Sequence, residues 1–378
     1  MHPNRKFGKL PVEKNEIYKA YGTEYKEMTM RLLEKAQLCN EIKNSNARIA
    51  IKPNLVTSSP AKFGGTTHTE VVAGIIEYLQ QHGFMDITVA EGSWVGDLTR
   101  EAFEYCGYNR LAAEYGVKLS DMQEDAFFEK DCGGMKLRIC SFVNDIDFLI
   151  NVPVLKGHCQ TRITCALKNM KGLIPNSEKR RFHSMGLHKP IAHLNCGIRQ
   201  DFIVIDHICG DPDFEEGGNP LVRNCVMAAK DPVLVDAYTA SILGYEPQDI
   251  DYVMMAEELG VGSADLSRLR IITTEGENCE DLPDTHKILE VNYAVDEVDS
   301  CSACYGMLIA ALTRLKEDGL LDELDGKIAI GQGHAGKTGK CGVGNCTSGF
   351  EFNIPGCPPE ADDIYTALRD KIIDKRVK

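Results

Sequence analysis

Strand-like apolar runs alternate with amphipathic stretches along the first three quarters of the chain. Residues 48–56 and 86–90 are rich in β-branched side chains, which favours strands. Between them, apolar side chains recur at helical spacing over residues 71–79, and the stretch ends at Gly83. This succession is typical of an α/β fold with a mainly parallel sheet flanked by helices. Glu91 directly follows the second strand, at the end where such sheets usually carry ligands.

The same patterns predict the remaining elements of this α/β domain. Thr67 and Glu70 have the spacing of a capping box that starts the first helix. Asp231 precedes a proline and is predicted to be a helix N-cap. Residues 127–140, interrupted by two glycines, predict a hairpin. Further strands are predicted at residues 117–122, 148–152, 202–206, 225–229 and 269–273, and further helices at residues 99–106, 161–171, 231–243 and 250–259.

Charge and hydropathy exclude two classes of partner. The chain has 42 Lys and Arg against 56 Asp and Glu, a formal net charge of −14. A surface this acidic repels a phosphate backbone, so nucleic acid is not expected as a partner. No apolar run reaches the ~18 residues that a membrane span needs, and no secretory segment follows Met1. We therefore expect a cytoplasmic protein with no membrane partner; the sequence gives no indication of the oligomeric state.

Cysteines are concentrated near the C-terminus. Of the 15 cysteines, Cys301, Cys304, Cys341, Cys346 and Cys357 lie in the last quarter, among glycines. Because disulfides are rare in a reducing compartment, metal-binding thiolates explain this set better. Zinc usually takes a second close pair, whereas these thiols are dispersed and the last precedes a proline, as in the ligand run of a ferredoxin. The spacing favours a [4Fe–4S] cluster, with zinc and a bare thiol or redox pair as alternatives.

The ligands and the domain boundary follow from the same segment. The predicted cluster ligands are Cys301, Cys304, Cys346 and Cys357, with Cys341 as the alternate. The sequence becomes acidic and turn-rich after Thr274, which predicts two domains, residues 1–274 and a small cysteine-rich α/β segment at residues 275–378.

Residues 331–338 match the sequence pattern of a phosphate-binding loop. Glycines follow this loop instead of the helix that a phosphate site needs, so we expect the loop to cover the cluster rather than to bind a nucleotide.

The middle of the chain is basic. Lys156 and His158 follow a predicted strand, and Thr164 and Lys168 share one face of the helix predicted at residues 161–171. A concentration of positive charge in an acidic protein predicts a pocket for an acidic small molecule. The alternative is a solvated helix face, since charged helix faces usually contact only water.

Six short motifs distributed over residues 51–237 resemble the family known as domain of unknown function 362 (DUF362). The motifs are Ile51-Lys-Pro-Asn-Leu55, Glu91-Gly-Ser93, Asn151-Val-Pro-Val-Leu-Lys-Gly-His158, Ala166-Leu-Lys-Asn-Met-Lys-Gly172, Val204-Ile-Asp206 and Asp231-Pro-Val-Leu-Val-Asp236-Ala. The resemblance implies iron–sulfur chemistry, because members often carry ferredoxin-type cysteines. The two-cluster ferredoxin run is absent here, and the family supplies no substrate.

Taken together, these observations predict an iron–sulfur redox protein of anaerobic metabolism that binds an acidic small molecule and passes single electrons to it or to a redox partner protein. The candidate substrate-binding residues are Lys52, Asn54, Lys156, Arg162, Asn169 and Asp206, and the candidate catalytic residues are Glu91, His158, Lys168 and His193. Two alternatives remain open. One is a non-catalytic electron carrier whose basic loop docks a partner, and the other is a nonredox acid/base isomerase with a structural cluster.

Overall fold

An eight-stranded sheet forms the centre of the first domain in this computed structural model, which describes residues 13–215, 217, 220–277 and 290–377. The strands of this domain are β1 (Glu16–Tyr21), β2 (Ile49–Pro53), β3 (Ile87–Glu91), β4 (Lys118–Asp121), β5 (Phe127–Cys132), β6 (Met135–Cys140), β7 (Phe148–Val152), β8 (Lys156–His158), β9 (Arg162–Thr164), β10 (Phe202–Gly210), β11 (Leu221–Ala229) and β12 (Arg270–Glu275). The order of strands in the sheet is β12-β1-β11-β10-β7-β2-β3-β4. Strands β1 and β10 pair with β11 antiparallel, and all other neighbours are parallel. Two hairpins, β5–β6 and β8–β9, lie outside the sheet.

Helices cover both faces of this sheet. Because side chains alternate along a strand, Leu149 and Ile150 of β7 belong to two different apolar clusters. Helices α1 to α4 pack on the Ile150 face, whereas α5, α7, α8 and α9 pack on the Leu149 face. The helices are α1 (Tyr25–Ala36), α2 (Thr69–Gln81), α3 (Thr99–Tyr105), α4 (Tyr108–Tyr115), α5 (Ala166–Asn169), α6 (Asn176–Met185), α7 (His188–Gly197), α8 (Pro232–Ile242) and α9 (Asp251–Glu258).

The C-terminal segment has its own small sheet and core. Four parallel strands, β13 (Val295–Glu297), β14 (Ile328–Ile330), β15 (Cys341–Val343) and β16 (Phe352–Ile354), form the sheet. Helices α10 (Ser302–Glu317) and α11 (Ala361–Val377) contribute to a separate apolar cluster with it. The predicted boundary falls at β12, and most of the acidic stretch predicted to connect the two units lies outside the described residues. None of the described helices combines the length and apolar character needed to cross a bilayer.

The predicted elements are largely confirmed, with two corrections. The strand at 148–152 matches β7, the hairpin at 127–140 matches β5–β6, and Asp231 caps α8 by accepting hydrogen bonds from two backbone amides. The predicted capping box is wrong, because Thr67 Oγ1 bonds Asn54 N and Val152 O instead. The predicted helix at 161–171 is also wrong, because strand β9, short helix α5 and a 3₁₀ turn (Met170–Leu173) occupy that range.

Candidate functional site

A cavity of about 340 Å³ lies between the carboxyl ends of β2 and β3, the segment from β9 to α6, and the beginning of α10. We call it the cationic cavity. Its volume suits a small molecule. Its lining residues are Lys52, Asn54, Val56, Glu91, Gly92, Trp94, Val95, Thr164, Lys168, Asn169, Lys171, Gly172, Lys179, Arg180, His183, Glu215, Cys301, Ala303 and Gln332.

A buried ion pair forms the floor of the cavity. Lys52 Nζ, at the end of β2, lies 2.8 Å from Glu91 Oε2, at the end of β3. Both Glu91 oxygens also accept backbone hydrogen bonds, Oε2 from Leu55 N at 2.8 Å and Oε1 from Gly92 N at 2.7 Å. Burial lowers the pKa of Lys52, and the Glu91 carboxylate opposes that shift. Because its oxygens are occupied by these donors, Glu91 is a positioning group rather than a free proton donor.

Amide side chains join this ion pair to α5. Asn169 Oδ1 accepts from Asn54 Nδ2 at 3.0 Å and from Lys52 Nζ at 3.3 Å, while its own Nδ2 donates to Asn151 Oδ1 at 2.7 Å. The following turn approaches the ion pair so closely that a Cβ on Gly172 would lie 2.0 Å from Glu91 Oε1. Only glycine permits this approach.

A second ion pair lies on the wall of the cavity. Glu215 Oε1 pairs with Lys168 Nζ, and Glu215 Oε2 lies 3.0 Å from His158 Nε2. His158 Nδ1 accepts hydrogen bonds from two backbone amides, those of residues 160 and 161. His158 therefore uses Nε2–H to donate to Glu215, and burial together with the nearby Lys168 charge lowers the pKa of His158 to about 3. The imidazole is neutral and holds Glu215 in place.

Two further lysines add positive charge that no carboxylate contacts directly. Lys179 Nζ donates to the carbonyl oxygens of Gly92 at 2.9 Å and Ser93 at 2.7 Å, and burial lowers its pKa to about 8. No described residue forms a hydrogen bond or ion pair with Lys171 Nζ. Burial and the charge of Lys168 lower the pKa of Lys171 to about 7. The cavity thus combines a fixed cation with an amine that is about half-protonated at neutral pH.

Two buried, uncharged polar atoms of the lining have no hydrogen-bond partner among the described residues. Thr164 is only 1% exposed, and its Oγ1 forms no hydrogen bond. His183 Nδ1 is likewise buried and unsatisfied, and burial lowers the pKa of His183 to about 4, so the ring is neutral. Leaving a buried polar atom unpaired costs about 1–3 kcal/mol. These atoms are available to a bound molecule.

The C-terminal cysteines meet the cavity at Cys301. Gln332 Nε2 donates to Cys301 Sγ at 3.3 Å, and both residues line the cavity. Burial raises the pKa of Cys304 to about 12, with further contributions from the nearby thiols of Cys301, Cys357 and Cys346. The thiols of Cys301, Cys346 and Cys357 thus lie near enough to Cys304 to act on its pKa, and we call these four thiols the cysteine cluster.

Cys341, the predicted alternate ligand, has different surroundings from the cysteine cluster. Burial raises the pKa of Cys341, whose thiol interacts with Lys371 of α11, and Cys341 lines a different cavity, of about 640 Å³. Among the described residues, no group of three or more His, Cys, Asp or Glu side chains is placed to bind a single metal ion.

Five of the predicted catalytic and substrate-binding residues line the cationic cavity: Lys52, Asn54, Glu91, Lys168 and Asn169. Lys156 and His158 do not. Lys156 Nζ is fully buried behind the wall, where it donates to the Gly65 and Glu215 carbonyls at 2.6 Å each. Both side chains are engaged in holding the wall together, and their predicted contact with the substrate stays a prediction.

Three other predicted residues are also absent from the lining. Arg162 is exposed and lies 3.5 Å from Asp249. Asp206 Oδ2 lies 2.9 Å from His68 Nδ1, and although burial alone would lower the pKa of His68, the Asp206 carboxylate raises it to about 10. His193 Nδ1 donates to a backbone carbonyl of β5 at 2.8 Å. The structure therefore does not bring Arg162, Asp206 and His193 to the cavity, and their predicted roles in binding and catalysis stay predictions.

Several lining residues are not among the candidate catalytic and substrate-binding residues predicted from the sequence. Lys171 and Thr164 lie next to predicted residues along the chain, and the basic character of the segment already pointed to them. Arg180 and His183 are on α6, and Glu215 is in the loop after β10. No local pattern relates these last three residues to the strand ends, because only the tertiary fold brings them together.

Residues 49–241 match a family model described as "Domain of unknown function (DUF362)". The thylakoid-associated protein sll1697 of Synechocystis sp. is 25% identical over 224 residues, which are 57% of this chain and 68% of that protein. Among solved structures, a Thermotoga maritima protein is 13% identical with a TM-score of 0.38, covering 66% of this chain and 60% of its own. The lactate racemase apoprotein of Thermoanaerobacterium thermosaccharolyticum is 14% identical with a TM-score of 0.36, covering 59% and 56%. These two scores are too low to inform function.

Proposed function

This chain belongs to the DUF362 family, and from that premise we propose that it is an iron–sulfur protein of anaerobic metabolism that binds an anionic small molecule in the cationic cavity and exchanges single electrons with it. One observation carries the proposal: Cys301, a member of the cysteine cluster, forms part of the wall of the cavity that holds the positive charge. Anion binding and electron exchange would therefore take place at the same wall of the cationic cavity.

Anion binding is supported by the charge balance of the lining. Of the described lining residues, five are Lys or Arg and two are carboxylates. Both carboxylates are already paired, Glu91 with Lys52 and Glu215 with Lys168. A bound anion would compensate the remaining positive charge, and the unpartnered Thr164 Oγ1 would donate a hydrogen bond to it.

We assign the four thiols of the cysteine cluster to an iron–sulfur cluster on the ground of their spacing. A structural zinc usually takes a second close pair of ligands, whereas these thiols are dispersed along the chain. After burial, the thiols of Cys301 and Cys357 contribute to the raised pKa values of Cys304 and Cys346. A [4Fe–4S] cluster bound there by Cys301, Cys304, Cys346 and Cys357 would supply one-electron reduction and oxidation. All described cysteines are free, which suits a reducing cytoplasm.

The chain's own residues bind and orient the ligand and supply a proton. The Gln332 amide holds Cys301 against the cavity. Lys179 and Arg180 would attract the anion, and Val56, Val95 and Ala303 contribute apolar surface to the lining. A proton that accompanies an electron would come from Lys171 Nζ, because its pKa of about 7 matches neutral pH.

The chain's single tryptophan provides a binding assay. Trp94 lines the cavity, so its fluorescence should change when an anion enters. We expect small carboxylates and inorganic phosphate to compete for one site, and Arg180→Ala to weaken binding about tenfold to a hundredfold, the effect of about 1.5–3 kcal/mol for one charged hydrogen bond. Arg110→Ala, an exposed arginine on α4, is the matched control and should change nothing.

Metal and redox assays test the proposed iron–sulfur cluster and its electron exchange. Protein purified without oxygen should contain about four iron and four sulfide per chain, and Cys106→Ser, which lies outside the cysteine cluster, should keep both. A loss of visible absorbance when the protein is reduced, changed in extent or rate by the bound anion, supports the proposal. Zinc without sulfide, or equal anion affinity in Arg180→Ala and the parent, would overturn it. Reduction only by a partner protein, with no anion bound, would favour the electron-carrier alternative.

A further inference from the structure

We propose that Lys171 is a nucleophile that forms an imine with the carbonyl carbon of a 2-oxo carboxylate bound in the cationic cavity. This inference rests on the proposed function and names its substrate class. The lysines of the lining differ in their contacts. Among those that the structure describes, only Lys171 has a side-chain nitrogen that no hydrogen bond or ion pair engages.

Three of the four lining lysines are engaged. Lys52 Nζ bonds Glu91 and two further oxygens, and Lys168 Nζ pairs with Glu215. Lys179 Nζ donates to two backbone carbonyls and to Asn176 Oδ1 at 3.3 Å. A protonated ammonium that donates hydrogen bonds has no lone pair for attack. These three lysines are binding and positioning groups.

Lys171 differs in both contacts and charge. No described residue holds its Nζ, and the side chain is half-buried on the cavity wall. Desolvation and the charge of Lys168, with a smaller contribution from Lys179, disfavour a further positive charge at this position, and the Glu215 carboxylate opposes this effect only in part. Desolvation and a neighbouring cation are the means by which proteins activate a lysine for carbonyl chemistry.

The same neighbours select the substrate. An amine next to two fixed cations favours a carbonyl compound that carries negative charge close to the reacting carbon, which describes a 2-oxo acid. Thr164 Oγ1, buried and without a partner, can donate to the carboxylate. The volume of about 340 Å³ accommodates a small acid of this type.

The step conserves atoms and oxidation state. Lys171 Nζ attacks the carbonyl carbon, the C=O bond gives way to a C=N bond, and the oxygen leaves as water with two protons taken from the amine and its surroundings. No electron donor or acceptor is needed for this step. The protonated imine that results accepts electrons more readily than the parent carbonyl, which agrees with an electron-exchanging site next to the cavity.

Reductive trapping tests the proposal. The full-length protein is incubated with glyoxylate, the smallest 2-oxo acid, and cyanoborohydride, which converts an imine to a stable carboxymethyl-lysine; peptide mass spectrometry then locates the label. We expect Lys171 to be labelled about tenfold or more faster than Lys118, because its unprotonated fraction at neutral pH is far larger. Lys118 is an exposed lysine whose side chain is 74% accessible.

Variants and a carbonyl-free ligand separate the two proposals. Lys171→Arg should abolish the selective label while Lys118→Arg leaves it intact. Glycolate, which matches glyoxylate in size and charge but has no carbonyl, should bind the parent and slow the labelling of Lys171. If glycolate binds and Lys171 is labelled no faster than Lys118, imine formation is refuted and anion binding stands. If glycolate leaves Trp94 fluorescence unchanged and Lys171 is unlabelled, both proposals fail.

Discussion

Replacing Glu91 by glutamine tests the buried ion pair at the floor of the cationic cavity. In the parent, both carboxylate oxygens accept hydrogen bonds, from Lys52 Nζ and Leu55 N on one side and from Gly92 N on the other. The amide group of glutamine has the same shape, but either orientation turns an NH₂ group toward a donor. Glu91→Gln therefore loses a hydrogen bond and leaves the Lys52 charge without its counterion.

The magnitude follows from burial. The side chains of Lys52 and Glu91 are only 1% and 3% exposed, so water cannot replace the lost contact. Removing one member of a buried pair costs about 3–5 kcal/mol. Equilibrium unfolding in urea measures this loss, and Glu114→Gln, an exposed glutamate on α4, is the matched control with an expected change within about 0.5 kcal/mol.

The loss should also depend on pH. Burial lowers the pKa of Lys52 in the folded chain below its ordinary value of 10.5, and removing the Glu91 carboxylate lowers it further. Between the folded and the unfolded pKa, the unfolded chain binds more protons, so stability rises with pH. The deficit of Glu91→Gln should therefore shrink as the pH is raised toward 10.5. A loss below about 1 kcal/mol, or one equal at neutral and alkaline pH, would refute the reasoning.

Three further predictions concern the cluster, the cavity floor and the reactive amine. Cys357→Ser should remove iron and sulfide, whereas Cys341→Ser should retain both, because the Cys341 thiol lies apart from the cysteine cluster; elemental analysis decides. Gly172→Ala should destabilise the chain by roughly 1–3 kcal/mol in urea unfolding, since its Cβ would overlap the ion pair, and an unchanged midpoint would contradict the geometry. Glycolate binding should weaken as pH rises through the Lys171 pKa of about 7, while imine trapping accelerates; parallel pH profiles would contradict the assignment of Lys171.

Local pattern predicted most of the first domain because its strands and helices are set by short-range periodicity. The predicted strand 148–152 coincides with β7, whose residues are buried on both faces. The predicted helix at 161–171 failed because its apolar spacing is compatible with two structures. There the chain turns back in the β8–β9 hairpin, and Arg162 adopts a φ of 63°, which no helix tolerates. Only tertiary contact resolves this ambiguity.

The residues of the site likewise fall into those that the sequence could predict and those that it could not. Lys52 and Glu91 were predictable because parallel strands place their carboxyl ends at one edge. His183 and Glu215 were not, since α6 and the loop after β10 reach the cavity only through the packing of distant segments. Cys341 shows the limit of spacing arguments: it lies in β15 beside α11, and no property of its separation from Cys346 indicates which of the two thiols joins the cluster.

The proposed function links the charge of the cavity to electron exchange at its wall. With a cluster bound as proposed, positive side chains near Cys301 would favour the addition of an electron there, because the reduction potential of an iron–sulfur site depends on local charge and hydrogen bonding. An anion that fills the cavity would offset this positive charge and lower the potential. By linkage, reduction would then weaken anion binding by the same factor. Lys179 and Arg180 would thus serve both events, which gives a physical reason for an acidic protein to keep so many cations in one place.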